Sequence, residues 1–482
     1  MNRRSFLKTS AAAVAGTLCA SGLRAQEGLQ ALPAKADSCI FIWLPGGVAQ
    51  TDTFDPKEHT PFKAGMKGSE LLGTCPSIAT AIEGVKFGAG LEKLGAALKH
   101  GSLVRSVTSS TKFGGSHVRA QYFMMTGYLF PSGVKAPSIG AIVSRSLGRR
   151  NKDVPPYIYI GRDIGGSDDI DLFVNEYIGP GFYGPRHAPF MIPDPSQGLE
   201  TLNAQAGMTA ERLDKRLEQL QKIAALQGVS RAPEAQEFLT QMAAARAMMD
   251  SPVKAAFNYM KEEKPETIAA YEPPLAPNEI FDGYNNSKRF GHGLLLARRL
   301  VERGARFVQV EYKYGAVKGF DTHDNGAGRI AAMKKQIDGP IAQLIADLKE
   351  RGLLERTLVV VATEFGRTIA AVNSNEPAGF GETNTGEDLI IKDLKTYGFH
   401  GHFSSASCMM LFGGGVKQGF VYGKTANKHP LTIVEQPAQV MDLHATIYSL
   451  LGISPETYFL TENRPFFVTR DGKGEAIRAL MG

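Results

Sequence analysis

Cysteine is scarce, with four in 482 residues, at positions 19, 39, 75 and 408. None belongs to a Cys-x-x-Cys pair, and no haem or iron–sulfur spacing occurs. These absences argue against a redox enzyme. Beyond Cys19 the remaining three, Cys39, Cys75 and Cys408, are odd in number and scattered, which excludes a disulfide framework and leaves room for a single bridge. Strong charge is lacking as well. The net charge is +6, and Arg3, Arg4, Lys8 and Arg24 supply four of it with no acid among residues 1–25. The small remainder gives no reason to expect nucleic acid or a charged membrane surface as a partner. Long apolar runs are missing too. The stretch from Ala11 to Leu23 is rich in Ala and Gly and falls short of the ~20 apolar residues a spanning helix takes, so no stable transmembrane anchor is expected. No fixed-period repeat is visible, and Gly413-Gly414-Gly415 reads as a turn with no phosphate-binding role.

What stands at the amino terminus is a three-part signal. Asn2-Arg3-Arg4-Ser5-Phe6-Leu7-Lys8 precedes the small-residue apolar stretch, and Arg24-Ala25 offers a cleavage site. This is the layout of a twin-arginine (Tat) signal peptide over residues 1–25, and it predicts a periplasmic or secreted mature chain, residues 26–482. Leu18 before Cys19 speaks against lipidation. The Tat route carries proteins that are already folded, which hints at a metal, cofactor or partner acquired before export. The hydrophobic content of 43% and charged content of 21% suit an ordinary globular enzyme.

Strands and helices alternate along the mature chain. Ser38–Leu44, Gly101–Ser106, Pro155–Gly161, Arg306–Glu311, Thr357–Thr363 and Cys408–Phe412 read as strands, most of them continuous apolar runs of the kind buried on both faces. Helices are expected over Leu91–Leu98, Val118–Met125, Phe290–Arg303, Ile330–Arg351 and Asp442–Leu451, with Asp442 as the cap of the last. The pattern predicts an α/β fold with a doubly wound, mostly parallel sheet. Residues 162–200 read as irregular surface. A helical insertion is expected at about 206–260, where Leu213, Leu217, Leu220, Ile223 and Leu226 form an apolar stripe.

In such a sheet, ligands sit beyond the carboxyl ends of the strands. The residues following the predicted strands are Asp52 and Asp55; Ser109-Ser110-Thr111 with Ser116-His117; Asp321, His323 and Asp324; and Glu364. His400 and His402 precede the last strand. Carboxylates and imidazoles gathered in one cleft suit zinc, manganese or a similar divalent ion. His444 is expected to be a packed histidine, and His59, His100 and His429 loop or surface residues.

The run Ile337–Gly366, a helix, a buried strand and then Glu364-Phe365-Gly366, resembles the sulfatase and alkaline-phosphatase superfamily. Four segments together resemble more specifically the exported bacterial family called domain of unknown function 1501: 46–57, Phe320-Asp321-Thr322-His323-Asp324-Asn325, Ala362-Thr363-Glu364-Phe365-Gly366-Arg367, and Asp442-Leu443-His444-Ala445-Thr446. The resemblance implies an alkaline-phosphatase-like fold and hydrolysis of phosphate or sulfate esters with a divalent ion (zinc, manganese or calcium). It implies metal ligands at Asp52, Asp321, His323, Glu364 and His402, with Phe365 standing where the superfamily places a second ligand. Nine residues before Thr126-Gly127, where sulfatases carry the nucleophile, stands His117, beside Ser116. Ser116, His117 and Arg119 are thus the candidate catalytic residues, Ser116 as nucleophile or helix cap, and Arg119 and Arg105 as anion clamps. The implied substrate is an anionic small-molecule or polysaccharide ester. The alternative is a non-catalytic protein on the same fold that binds an envelope partner through 155–191 and 206–260.

Overall fold

The computed structural model describes residues 28–109, 116–130, 133–161, 174–202, 208–226, 233–273, 275–276, 287–312, 319–323, 325–369 and 389–482. The signal segment, Ser110, Thr111 and Asp324 lie outside the described residues, as do parts of the irregular stretch and of the helical insertion.

Nine strands form one sheet: β1 (Ser38–Trp43), β2 (Gly101–Thr108), β3 (Tyr157–Ile160), β4 (Phe190–Ile192), β5 (Phe307–Glu311), β6 (Thr357–Ala362), β7 (Ser407–Phe412), β8 (Phe420–Tyr422) and β9 (Ala438–Gln439). The order is β8-β2-β7-β6-β1-β5-β3-β4, with β9 alongside β2. All pairings are parallel except those of β7, which runs antiparallel to both β6 and β2. β1 lies in the middle, with Trp43 level with Glu311 of β5 and Ala362 of β6.

Burial on both faces explains the uninterrupted apolar runs. In β1, Ile40 and Ile42 enter one core while Cys39, Phe41 and Trp43 enter the other. The first core is closed by helices α1 (Glu92–Ala97), α6 (Ser287–Glu302) and α7 (Gly326–Glu350), the second by α2 (His117–Thr126), α3 (Ile139–Leu147) and α8 (Val440–Leu450). This is the doubly wound arrangement expected from the alternation of elements.

The apolar stripe lies on α4 (Ala210–Leu226), where Leu213 and Leu217 are half-buried and Leu220, Ile223 and Leu226 are 39%, 51% and 86% exposed. Against α5 (Pro233–Asp250), the helix is tied by the ion pair Arg246–Asp214 at 2.7 Å. One expectation is corrected: helix α8 starts at Val440 with Gln439 as its cap, so Asp442 sits inside the first turn and accepts from Glu475 N at 3.0 Å. No helix among the described residues is long and apolar enough to cross a membrane.

Candidate metal centre

The antiparallel course of β7 decides what meets at the cleft. Its amino end lies at the edge where β1, β5 and β6 end, so His400 and His402, just before β7, join residues that follow the parallel strands. The short ladder Gly366↔Phe403 and Arg367↔His402 fixes the loop after β6 against them. Helix α2 begins at His117 and delivers that imidazole to the same place.

There, three imidazoles converge on one carboxylate oxygen. Asp321 Oδ1 is 3.0 Å from His323 Nε2, 3.4 Å from His117 Nε2 and 3.6 Å from His402 Nε2. The ligand atoms of His117, Asp321 and His402 all lie within 4.8 Å of one another. The facing Nε2 atoms of His117 and His402 are 3.0 Å apart. Arg367, fully buried, also donates to Asp321 Oδ1.

Glu364 stands behind His117. Its Oε1 accepts from His117 Nδ1 at 2.8 Å, from Gly46 N at 2.7 Å and from Gln121 Nε2 at 3.5 Å, and its Oε2 from Thr363 Oγ1 at 3.2 Å. With Nδ1–H donated to Glu364, His117 turns its Nε2 edge towards Asp321 and His402, the arrangement in which a second carboxylate orients a histidine placed to ligate. His402 Nδ1 is buried without a hydrogen-bond partner among the described residues.

The electrostatics follow from burial and from these contacts. Burial raises Asp321, but hydrogen bonds from His117, His323 and His402 and the Arg367 charge outweigh it and hold the carboxyl far below its usual range. Burial lowers His117, yet Asp321 and Glu364 win and raise it. Burial, helped by Arg367 and His117, lowers His402 to about 4. A cation would take the place of the proton that His117 Nε2 shares with Asp321, and imidazole nitrogens beside an ionised carboxylate are a donor set that a divalent cation fits.

The other candidates take different places. Asp52 is fully buried outside this cluster: Oδ1 accepts from Thr74 N at 2.9 Å, and Oδ2 lies 3.0 Å from His400 Nε2. That contact lowers Asp52 against its burial, and His400 in turn reaches Thr322 Oγ1 at 2.7 Å. Ser116 caps α2, its Oγ accepting from Arg119 N at 3.5 Å, and Arg119 is exposed. Arg105 pairs with Asp55 at 3.5 Å. His444 is buried, bonded to Met124 O at 2.8 Å and lowered to about 4 by burial. The sequence reading counted His400 among the imidazoles of the cleft without choosing it as a ligand, and gave Arg367 no role.

A family model described as "Protein of unknown function (DUF1501)" matches residues 36–481. The chain belongs to this family. No curated protein matches it in sequence. Among solved structures, the DUF1501 chain overlaps a phosphonate monoester hydrolase from Silicibacter pomeroyi at 12% identity, covering 92% of this chain and 76% of that one, with a TM-score of 0.38. A sulfatase from Pseudoalteromonas sp. overlaps at 12% identity over 97% of this chain and 77% of that one, TM-score 0.36. Alkaline phosphatase from the Antarctic bacterium TAB5 overlaps at 11% identity over 80% and 95%, TM-score 0.32. The family assignment rests on the sequence match alone.

Proposed function

We propose that this DUF1501 chain is an exported, metal-dependent hydrolase of phosphate or sulfate esters. The observation that carries the reading is the convergence of His117, His323 and His402 on Asp321 at the amino end of α2. The motif resemblance to sulfatases and alkaline phosphatases supports the same chemistry, and the twin-arginine segment supports export to the periplasm or beyond. His117, His402, Asp321 and, on the open side, His323 would hold the ion. Imidazole donors favour zinc or manganese over calcium.

When bound, a divalent cation supplies Lewis acidity towards an ester oxygen. The protein's own groups do the rest. Glu364 holds the Nδ1 proton of His117 and so fixes the ring and its tautomer. Arg367 and the imidazoles keep Asp321 ionised. His323 is one-third exposed, the most open imidazole of the cluster, and closes it on the solvent side. The first turn of α2 brings the positive end of a helix dipole to the site, which favours an anionic ester. Ser116, spent as a cap, is assigned no nucleophilic role.

The test is elemental analysis of the purified mature chain, followed by hydrolysis of aryl phosphate and aryl sulfate esters before and after His402→Ala. A metal-free protein whose trace activity is unchanged by the substitution would end the proposal. Export is tested by fractionating cells that carry Arg3→Lys with Arg4→Lys; retention of the double variant in the cytoplasm is expected.

A second reading has one observation in its favour. The exposed Leu220, Ile223 and Leu226 on α4 suit contact with a partner protein in the envelope. A stoichiometric partner that stays bound to Glu364→Ala would favour this reading.

A further inference from the structure

Beside the histidine cluster lies a cage of oxygens closed around Arg367. Its Nη1 donates to His400 O at 2.9 Å, its Nε to Gly46 O at 3.1 Å and Gly47 O at 3.2 Å, and its Nη2 to Gly46 O and Asp321 Oδ1. Gln50 clamps the arginine's own backbone, accepting from Arg367 N at 2.8 Å and donating to Arg367 O at 3.0 Å. Three main-chain carbonyls and one carboxylate, from three separate loops, thus point at one buried charge. This is a donor set that suits a hard cation, with a guanidinium at its centre.

The Gly46-Gly47 turn exists to aim these carbonyls. Both residues have positive φ, +102° and +81°. A Cβ on Gly46 would lie 2.4 Å from Asp321 N, and one on Gly47 would lie 2.7 Å from the Phe365 ring and 3.0 Å from Arg367 Nε. Only glycine allows the turn to close this tightly on the arginine.

We propose that Arg367 is a resident cation: its guanidinium fills the oxygen cage, so the protein holds one exchangeable metal ion, at the histidines, and not two. The proposal rests on the metal reading of the histidine cluster. Two-metal hydrolytic sites set their ions roughly 3.5–4 Å apart. Here Asp321 Oδ1 already lies between the imidazoles and a tethered positive charge. Of the neighbouring carboxylates among the described residues, Glu364 is committed to His117 and Gly46 N, and Asp52 to His400 and Thr74 N. A charge supplied by the chain resists chelation, and it ties the loops after β1, after β5 and before β7 to the loop after β6.

The purified full chain, stripped and then titrated with cobalt(II) followed by visible absorbance, is expected to saturate at one equivalent and to take up no calcium in parallel calorimetry. Arg367→Ala opens the cage. It is expected to gain one equivalent of calcium, or to regain wild-type thermal stability in methylguanidinium. Two cobalt equivalents in the wild type overturn the proposal, as does a folded Arg367→Ala that shows neither calcium uptake nor rescue. If Arg367→Ala does not fold, Arg367→Lys carries the test: one cobalt equivalent supports the proposal and a second overturns it. Absence of cobalt binding in the wild type overturns this proposal together with the metal reading beneath it, whereas a second equivalent overturns this proposal alone.

Discussion

Glu364 gives the sharpest test of the site, because two substitutions there separate orientation from ligation. Glu364→Ala removes the acceptor for His117 Nδ1–H and for Gly46 N–H, both buried. Each unsatisfied donor costs about 1–3 kcal/mol, so the variant is expected to lose about 2–6 kcal/mol of folding stability. Glu364→Gln keeps an oxygen at the Oε1 position, and its new NH2 faces the Thr363 hydroxyl, 3.2 Å from Oε2, which can turn to accept. Only the charge is lost, which weakens the retained hydrogen bonds by about 1–2 kcal/mol. Metal affinity of Glu364→Gln should fall by roughly 10–100-fold, the usual loss for a group that orients a ligating histidine. Stability is read by denaturant unfolding, and affinity by competition against a zinc chelator. Glu364→Gln that binds zinc as the wild type does, or that loses the metal as completely as a variant lacking Asp321, would refute the orienting role.

Asp321→Asn removes the charge shared by three imidazoles and Arg367 and is expected to abolish metal retention in elemental analysis; full occupancy would contradict the cluster's assignment. Ser116→Ala should cost about 0.5–1 kcal/mol in unfolding as a lost helix cap, with metal content and any ester hydrolysis unchanged, and loss of hydrolysis alone would restore Ser116 as nucleophile. His444 supplies a pH test away from the cluster. Its folded-state pKa is depressed from 6.5 to about 4, so the neutral ring contributes its full stability above about 6.5. As pH falls from 6.5 towards 4 the unfolded chain takes up the proton first, and about 3 kcal/mol is lost. His444→Phe should flatten that acid limb in unfolding measured at pH 7 and pH 4.5; an unchanged slope would contradict the assignment.

The central sheet was legible because strands buried on both faces must be apolar throughout. Ser38–Trp43 and Thr357–Ala362 are such runs, and both are wholly buried. The short strands Phe190–Ile192, Phe420–Tyr422 and Ala438–Gln439 were not legible, since two or three residues carry no period. Helix α3 was missed for a related reason. Its nine residues, IGAIVSRSL, mix β-branched and small side chains, and its cap Ser138 is its clearest local mark. Helix α4 shows how far periodicity reaches. Its stripe marks a helix correctly, but periodicity states only that an apolar face exists, not that anything covers it.

The strand-end rule found the loops of the site, yet it could not rank the acids within them. Asp52, Asp321 and Glu364 all follow strands, and all three meet imidazoles: Asp52 meets His400, Glu364 meets His117, and Asp321 meets His117, His323 and His402. What separates them is the main chain. Asp52 accepts from Thr74 N and Glu364 from Gly46 N, which commits each to holding its own loop and an imidazole. The contacts found for Asp321 among the described residues are all with side chains, three imidazoles and a guanidinium, and the imidazoles can turn their nitrogens to a cation where a backbone amide cannot. The bond from Gly46 to Glu364 spans 318 residues of sequence and carries no side-chain signature at its donor. A reading of residue types therefore gives three equivalent acids, and only the fold separates the one held by side chains alone from the two tied to the main chain.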